Sequence, residues 1–396
     1  PKNFQFAGTK DRRGVTVQRA SALRVQADRL ARLNQSLRNA SLGDFEYRPQ
    51  GLELGDLSGN EFVITLRECE IPGVDLRDRE NALSKIKDLI DTALRNLHER
   101  GYFNYYGLQR FGTFATRTDA VGVKMLQSDF KAACDAILHF NPQILTAAQD
   151  GEGSTMLIGS DDRARAEAIH LFQSGGKPSA ALDKMPRKFT AEACVIRHLS
   201  RVKNDYLGAL QTIPRNLRLM YVHAYQSLVW NFAAGERWRL YGDKVVEGDL
   251  VIVHEHRDKE APKPEAPQTS GVDAEGEVVI LPDLEDSAAG GEDIFTRARA
   301  LTAEEAASGK YSIFDVVLPL PGFDIIYPPN QMTDFYKRFM GSEQGGGLDP
   351  FNMRRKWKDL SLCGSYRKLL SRMGPDYSAD VRMYSADDEQ FVRTDL

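Results

Sequence analysis

One carboxylate in this chain stands among cations. Residues 7–14 read AGTKDRRG, so Asp11 has Lys10, Arg12 and Arg13 beside it between two glycines. The glycines permit a tight, backbone-exposed turn, and the VTVQ that follows at 15–18 alternates like a strand. Neighbouring cations favour the ionised form of a carboxylate. An ionised acid in a basic loop suits a nucleophile that acts on a nucleic acid, whose phosphates the same cations would draw in. The same residues also suit an ordinary solvated loop. A GTP-binding reading would need a phosphate loop of the G-x-x-x-x-G-K-[ST] type, and GGKPS at 175–179 does not fit it.

The elements that must hold such a residue come from a chain of 396 residues, long enough for two cores, with 42% hydrophobic and 27% charged residues. The sequence contains no apolar run long enough to span a membrane. It begins with Pro1, without an initiator Met or signal-peptide pattern, and reads as a piece of a longer protein. Cys69, Cys134, Cys194 and Cys363 are scattered, with no Cys-x-x-Cys, which argues for reduced thiols rather than a disulfide framework or zinc site. His254 and His256 lack the further ligands that a metal site needs nearby.

The net charge of −4 conceals two parts. Residues 255–293 hold 12 acidic and 3 basic side chains, leaving 49 basic against 44 acidic elsewhere. That acidic segment is rich in Pro, Gly, Ala and Ser and is expected to be mobile. The remaining body is mildly basic, which permits nucleic-acid binding.

Residues 15–66 have a strand-like pattern, clearest where Phe62, Ile64 and Leu66 alternate with Val63, Thr65 and Arg67. Residues 78–100 read as an amphipathic helix stopped by Gly101. From about 119 to 239 the chain reads as mostly helical. Its clearest helix, from Arg215 to about Arg237, has only a narrow polar edge with His223 and Gln226, which predicts burial on several sides. Arg218 on this helix suits an RNA contact or a buried salt bridge. Residues 313–327 read as two strand pieces around Pro319, Pro321 and Gly322. Residues 353–372 are basic with Trp357 and Tyr366 interleaved, a pattern that suits either phosphate contact and base stacking or a solvated helical face.

Four blocks in order, AGTKDRRGVTVQ (7–18), NYYGLQRFG (104–112), RNLRLMYVHAYQSLVWN (215–231) and VVLPLPGFDIIYP (316–328), resemble the signature blocks of the TruD/Pus7 family of tRNA pseudouridine synthases. GSYRKLL at 364–370 adds a fifth. The long acidic insertion makes the chain more similar to the eukaryotic Pus7 branch than to the compact bacterial enzymes.

The resemblance implies an α+β fold: a pseudouridine synthase core with a mixed, mainly antiparallel sheet and flanking helices, into which a mostly helical TRUD domain is inserted. The core would comprise residues 1–112 and 313–396, and the insertion residues 113–312. The family also has a strand upstream of the first block and a strand and helix after the last, so the chain is expected to be truncated at both ends. Asp11 would be the nucleophile. Tyr106 would stack on the flipped base, and Asn104 would hydrogen-bond near Asp11 or the ribose. Lys10 and Arg110 would pair with Asp11 or with phosphate, while Tyr105 and Phe111 suit core packing.

The implied reaction isomerises a uridine, of the uridine 13 type in tRNA and also in small nuclear RNA and mRNA. It involves no redox change, so no cofactor or metal is expected. The implied partner is RNA, the implied state a monomer, and the implied location the nucleus and cytoplasm. The alternative is a non-catalytic RNA-binding or RNA-folding module derived from the same family.

Overall fold

The computed structural model describes residues 4–8, 10, 14–53, 56, 59–75, 77–112, 116–146, 159–253, 271–272, 278–279, 298–386 and 388–392. Asp11, the pair His254 and His256, and nearly all of the acidic segment 255–293 lie outside the described residues. The chain divides into two compact units: residues 1–102, 266–282 and 372–396, and residues 103–265 and 283–371.

In the first unit, β1 (Phe4–Phe6) pairs antiparallel with β2 (Ala20–Ala22), and α1 (Ala27–Leu33) follows. α2 (Arg79–Arg100) is the predicted amphipathic helix. The Asp78 side chain accepts the Asn81 N–H at its start. At its end Gly101 adopts φ 72°, a conformation suited to glycine, and donates its N–H to the Leu97 carbonyl. Among the described residues, the strand pattern over 15–66 is realised only in β2. Phe62, Val63, Ile64 and Leu66 are all exposed. No strand pairs with them among the described residues, so neither row of side chains has a sheet face to bury.

The second unit is helical around one small sheet. Its first helices are α3 (Leu108–Phe111), α4 (Thr118–Leu126), α5 (Phe130–Ile137) and α6 (Gln143–Thr146). α7 (Ser160–Gln173), α8 (Pro178–Lys184), α9 (Thr190–Leu199) and α10 (Tyr206–Gln211) lead to α11 (Arg215–Tyr241). Side-chain caps from Asp129 and Asp205 start α5 and α10, and Pro178 opens α8 where no N–H is needed. α12 (Ala303–Ala307) and α13 (Gln331–Gly341) come later in the chain.

α11 is buried on more than one side, as its apolar breadth predicts. Of its narrow polar edge, His223 is half-buried, and Gln226 is 4% exposed and donates to the Pro321 carbonyl at 2.7 Å. The helix approaches α4 so closely that a Cβ at Gly122 would collide with the Tyr221 carbonyl oxygen. Its far end is fixed by a buried fork. Arg237 donates Nε and Nη2 to the two carboxylate oxygens of Asp249 at 2.8 and 2.6 Å, with side chains 0% and 1% exposed.

The sheet contains β3 (Leu250–Ile252), β4 (Ala298–Ala300), β5 (Val316–Leu320) and β6 (Ser365–Lys368), antiparallel in the order β4-β3-β5-β6. All five residues of β5 are buried. This strand runs through Pro319, which lies opposite Tyr366 and whose carbonyl accepts the Tyr336 hydroxyl at 2.8 Å. The expected break therefore falls later, after Leu320.

The compact units do not follow the expected boundaries at 112/113 and 312/313. Residues 103–112 and 313–371 pack with the helices. The reason is pairing: β5 takes β3 on one edge and β6 on the other, and Trp230 of α11 donates to the Leu318 carbonyl at 3.2 Å. The basic tract 353–372 forms a short 3-10 turn and strands, not a helix.

Gly122→Ala is expected to destabilise the folded protein by about 1–3 kcal/mol through overpacking, measurable as a lower urea midpoint. Cys134 is fully buried on α5, and burial, assisted by the nearby Asp135 charge, pushes its thiol up to about 12. Alkylation at about pH 8 should therefore label exposed Cys69 and spare Cys134 until the protein unfolds, as read by mass spectrometry.

Candidate active site

The NYYGLQRFG block is held by two other segments of the second unit. Asn104 N–H donates to the Leu369 carbonyl at 3.1 Å. Arg367 on β6 donates Nε to the Asn104 backbone carbonyl at 2.9 Å and Nη2 to its Oδ1 at 3.0 Å. The same guanidinium lies 4.1 Å from the centre of the Tyr106 ring and 5.6 Å from that of Trp230. A residue that the sequence places in a basic tract and in the GSYRKLL block thus binds the two expected site residues together.

α11 holds the block from another direction. Asn231 Oδ1 accepts the Tyr106 N–H, and its Nδ2 donates to the Tyr106 carbonyl, both at 2.9 Å. Trp230 meets the Tyr106 ring edge-on, with centres 5.9 Å apart. Arg110 is 9% exposed, lies 5.0 Å from the Tyr106 ring centre, and donates Nε to Ser227 Oγ at 3.0 Å. Ser227 Oγ donates in turn to the His223 carbonyl at 2.9 Å. Asn231, Ser227 and Trp230 were not foreseen. Their signal was two polar side chains flanking an aromatic residue within an otherwise apolar helix.

Asn104, Tyr106 and Arg110 are thereby brought together. Arg218 does not join them. It is 5% exposed, and its Nη1 donates to the carbonyls of Gln211 at 2.9 Å, Leu210 at 3.4 Å and Ile213 at 3.5 Å. Its observed partners are carbonyls at and just beyond the end of α10, which is a framework role. Lys10, in the first unit, donates to Asn60 Oδ1 at 3.2 Å and lies 5.9 Å from the Phe62 ring centre. Phe111 is buried, as expected of a core residue, whereas Tyr105 is half-exposed and stacks on Phe103.

Four other residues of the basic tract serve the framework. Trp357 stacks on Phe130, and the Tyr366 hydroxyl accepts the Ile326 N–H at 2.8 Å. Arg354 pairs with both carboxylate oxygens of Asp324 at 3.1 Å, and Arg355 donates to the Leu126 carbonyl at 2.8 Å. Burial lowers the pKa of Arg355. An open cleft of about 540 Å³ lies between residues 126–128 and 346–355, but none of the expected site residues lines it. Among the described residues, no three His, Cys, Asp or Glu side chains gather as metal ligands. No helix among them is long and apolar enough to cross a membrane.

The family model of tRNA pseudouridine synthase D (TruD) matches residues 1–275. The multisubstrate pseudouridine synthase 7 of Schizosaccharomyces pombe is 39% identical over all of this chain, which covers 52% of that protein. The human pseudouridylate synthase 7 homolog is 36% identical over 94% of the chain, which covers 45% of it. The chain therefore spans about half the length of these curated relatives. A Methanosarcina mazei structure solved as a tRNA pseudouridine synthase D (TruD) aligns with a TM-score of 0.53 at 23% identity, covering 93% of this chain and 72% of that one. The chain belongs to the TruD family, and its fold is α+β.

Asn231→Leu removes both partners of the Tyr106 backbone. It is expected to cost about 1–3 kcal/mol, read as a lower urea midpoint, because the N–H and carbonyl lose their hydrogen bonds together.

Proposed function

We propose that the full-length protein is an RNA pseudouridine synthase with Asp11 as its nucleophile. The observation that supports this most is the held pair, Asn104 and Tyr106, in the block that the family resemblance assigns to the side of the site facing the nucleophile. The target uridine is flipped out of the stack at a cost of a few kcal/mol. Tyr106 supplies a ring against which the base stacks, and Asn104 supplies an amide that hydrogen-bonds near Asp11 or the ribose.

In the reaction the N1–C1′ bond breaks, the uracil turns, and a C5–C1′ bond forms. The proton leaves C5 and N1 gains one, so atoms and electrons balance without an outside oxidant or reductant. Asp11 acts either by attacking C1′ or by taking a proton from C2′. Both routes need an ionised carboxylate. Lys10 and Arg110 are assigned to phosphate or to Asp11. The substrate is tRNA, at uridine 13 or an equivalent position, and also small nuclear RNA and mRNA. The name of the S. pombe relative, a multisubstrate synthase, supports more than one RNA class. The protein acts as a monomer in the nucleus and cytoplasm.

Asp11→Ala in the full-length protein is expected to abolish pseudouridine formation, a loss of at least ~10⁴-fold, while RNA affinity changes by less than about threefold. Tritium release from C5-labelled uridine in RNA measures the first quantity, and filter binding the second. Wild-type RNA binding without any turnover would favour the non-catalytic RNA-binding module instead.

A further inference from the structure

We propose that Arg367 is a positioning residue for the isomerisation: one guanidinium fixes which face of the Asn104 amide meets the reacting nucleotide and where the Tyr106 ring lies. This rests on the site reading given above. Arginine carries only donors. With Nη2 at 3.0 Å from the Asn104 side chain and Nε at 2.9 Å from its backbone carbonyl, only an oxygen can face the cation. The amide is thereby fixed with Oδ1 toward Arg367, and Nδ2 becomes the group offered to other partners as a donor. An unrestrained asparagine would interchange the two.

The same cation fixes the ring. Its carbon lies 4.1 Å from the Tyr106 centre, within cation–π range, while Trp230 meets that ring at 88°. The Tyr106 backbone is held separately by Asn231. Ring and backbone thus have independent anchors, and Arg367 is the anchor shared with Asn104. Its place on β6, opposite Leu318 of the buried strand β5, gives the guanidinium a rigid base. Lysine cannot replace it, because an ammonium group lacks the planar fork that reaches both oxygens and lies over the ring.

The test uses the full-length protein with Arg367→Gln, Arg367→Lys, Arg367→Ala and Asp11→Ala, measured for kcat, KM, RNA affinity and thermal midpoint. Arg367→Gln is expected to lower kcat about 100-fold, the scale of a small misplacement of reacting groups, with KM and RNA affinity within about threefold. Arg367→Lys should recover little of this loss. Added methylguanidinium should raise turnover of Arg367→Ala, a response that a purely structural residue would not give. Should Arg367→Gln not fold, Arg367→Lys carries the test alone. Unchanged kcat in a folded Gln or Lys variant beside an active wild type would overturn the inference alone. So would a loss confined to KM and RNA affinity, which would make Arg367 a phosphate contact. Absent turnover in the wild type, or full activity in Asp11→Ala, would overturn the site reading and this inference with it.

Discussion

Four side chains of α11 are committed to the backbones of other segments. Tyr225 donates to the Gly345 carbonyl at 2.8 Å, Gln226 to Pro321, Trp230 to Leu318, and Asn231 both accepts from and donates to Tyr106. A helix buried on several sides leaves neighbouring loops and strands short of water, so their backbone groups need partners from within the protein. α11 supplies those partners at fixed intervals along its length. The positions of β5, of the loop after it, and of the 104–112 block therefore depend on one helix. That helix is in turn pressed against α4 at Gly122, where no side chain fits between the backbones.

This arrangement explains why the candidate site is rigid without being closed off. Tyr106 is pinned through its backbone by an amide and through its ring by aromatic and cationic neighbours, yet it stays half-buried rather than sealed in the core. Burying the ring fully would strengthen each electrostatic contact but remove the surface on which a base could stack. Hydrogen bonds to backbone atoms fix the residue while leaving its side chain partly in solvent.

The parts legible in the sequence were those governed by local chemistry. α2 could be read from its apolar spacing, Asp78 and Gly101, and α11 from its length and apolar breadth. The 15–66 pattern misled because alternation records what a strand would bury, not whether a partner strand exists to bury it. The tract 353–372 was read as a helical face or an RNA surface because its cations are dense. Whether Arg367 points inward depends on β6 pairing with β5, a long-range contact that no window of sequence contains. The partners of Arg218 were hidden for a related reason. They are carbonyls at and just beyond the end of the preceding helix, and carbonyls leave no mark on residue identity. The Asn104–Tyr106 pair was legible because the resemblance carried it, and its restraint by Arg367 was not.

The net charge of −4 is a poor guide to where a polyanion would be drawn, because the cations differ in what already faces them. Arg299 forks onto Glu305 and holds that carboxyl down to about 2, so the pair presents little net field. Lys188 is paired with Asp161 at 3.0 Å and Arg354 with Asp324. Lys10 differs: its partners among the described residues, the Asn60 amide oxygen and the Phe62 ring, are both neutral. A neutral partner fixes an ammonium group in place without cancelling its charge. Its field then reaches roughly one Debye length, about 8 Å at physiological salt. The local pairing of each cation, rather than the sum over the chain, thus decides where a polyanion is drawn, and among the described residues nothing that Lys10 touches cancels its charge.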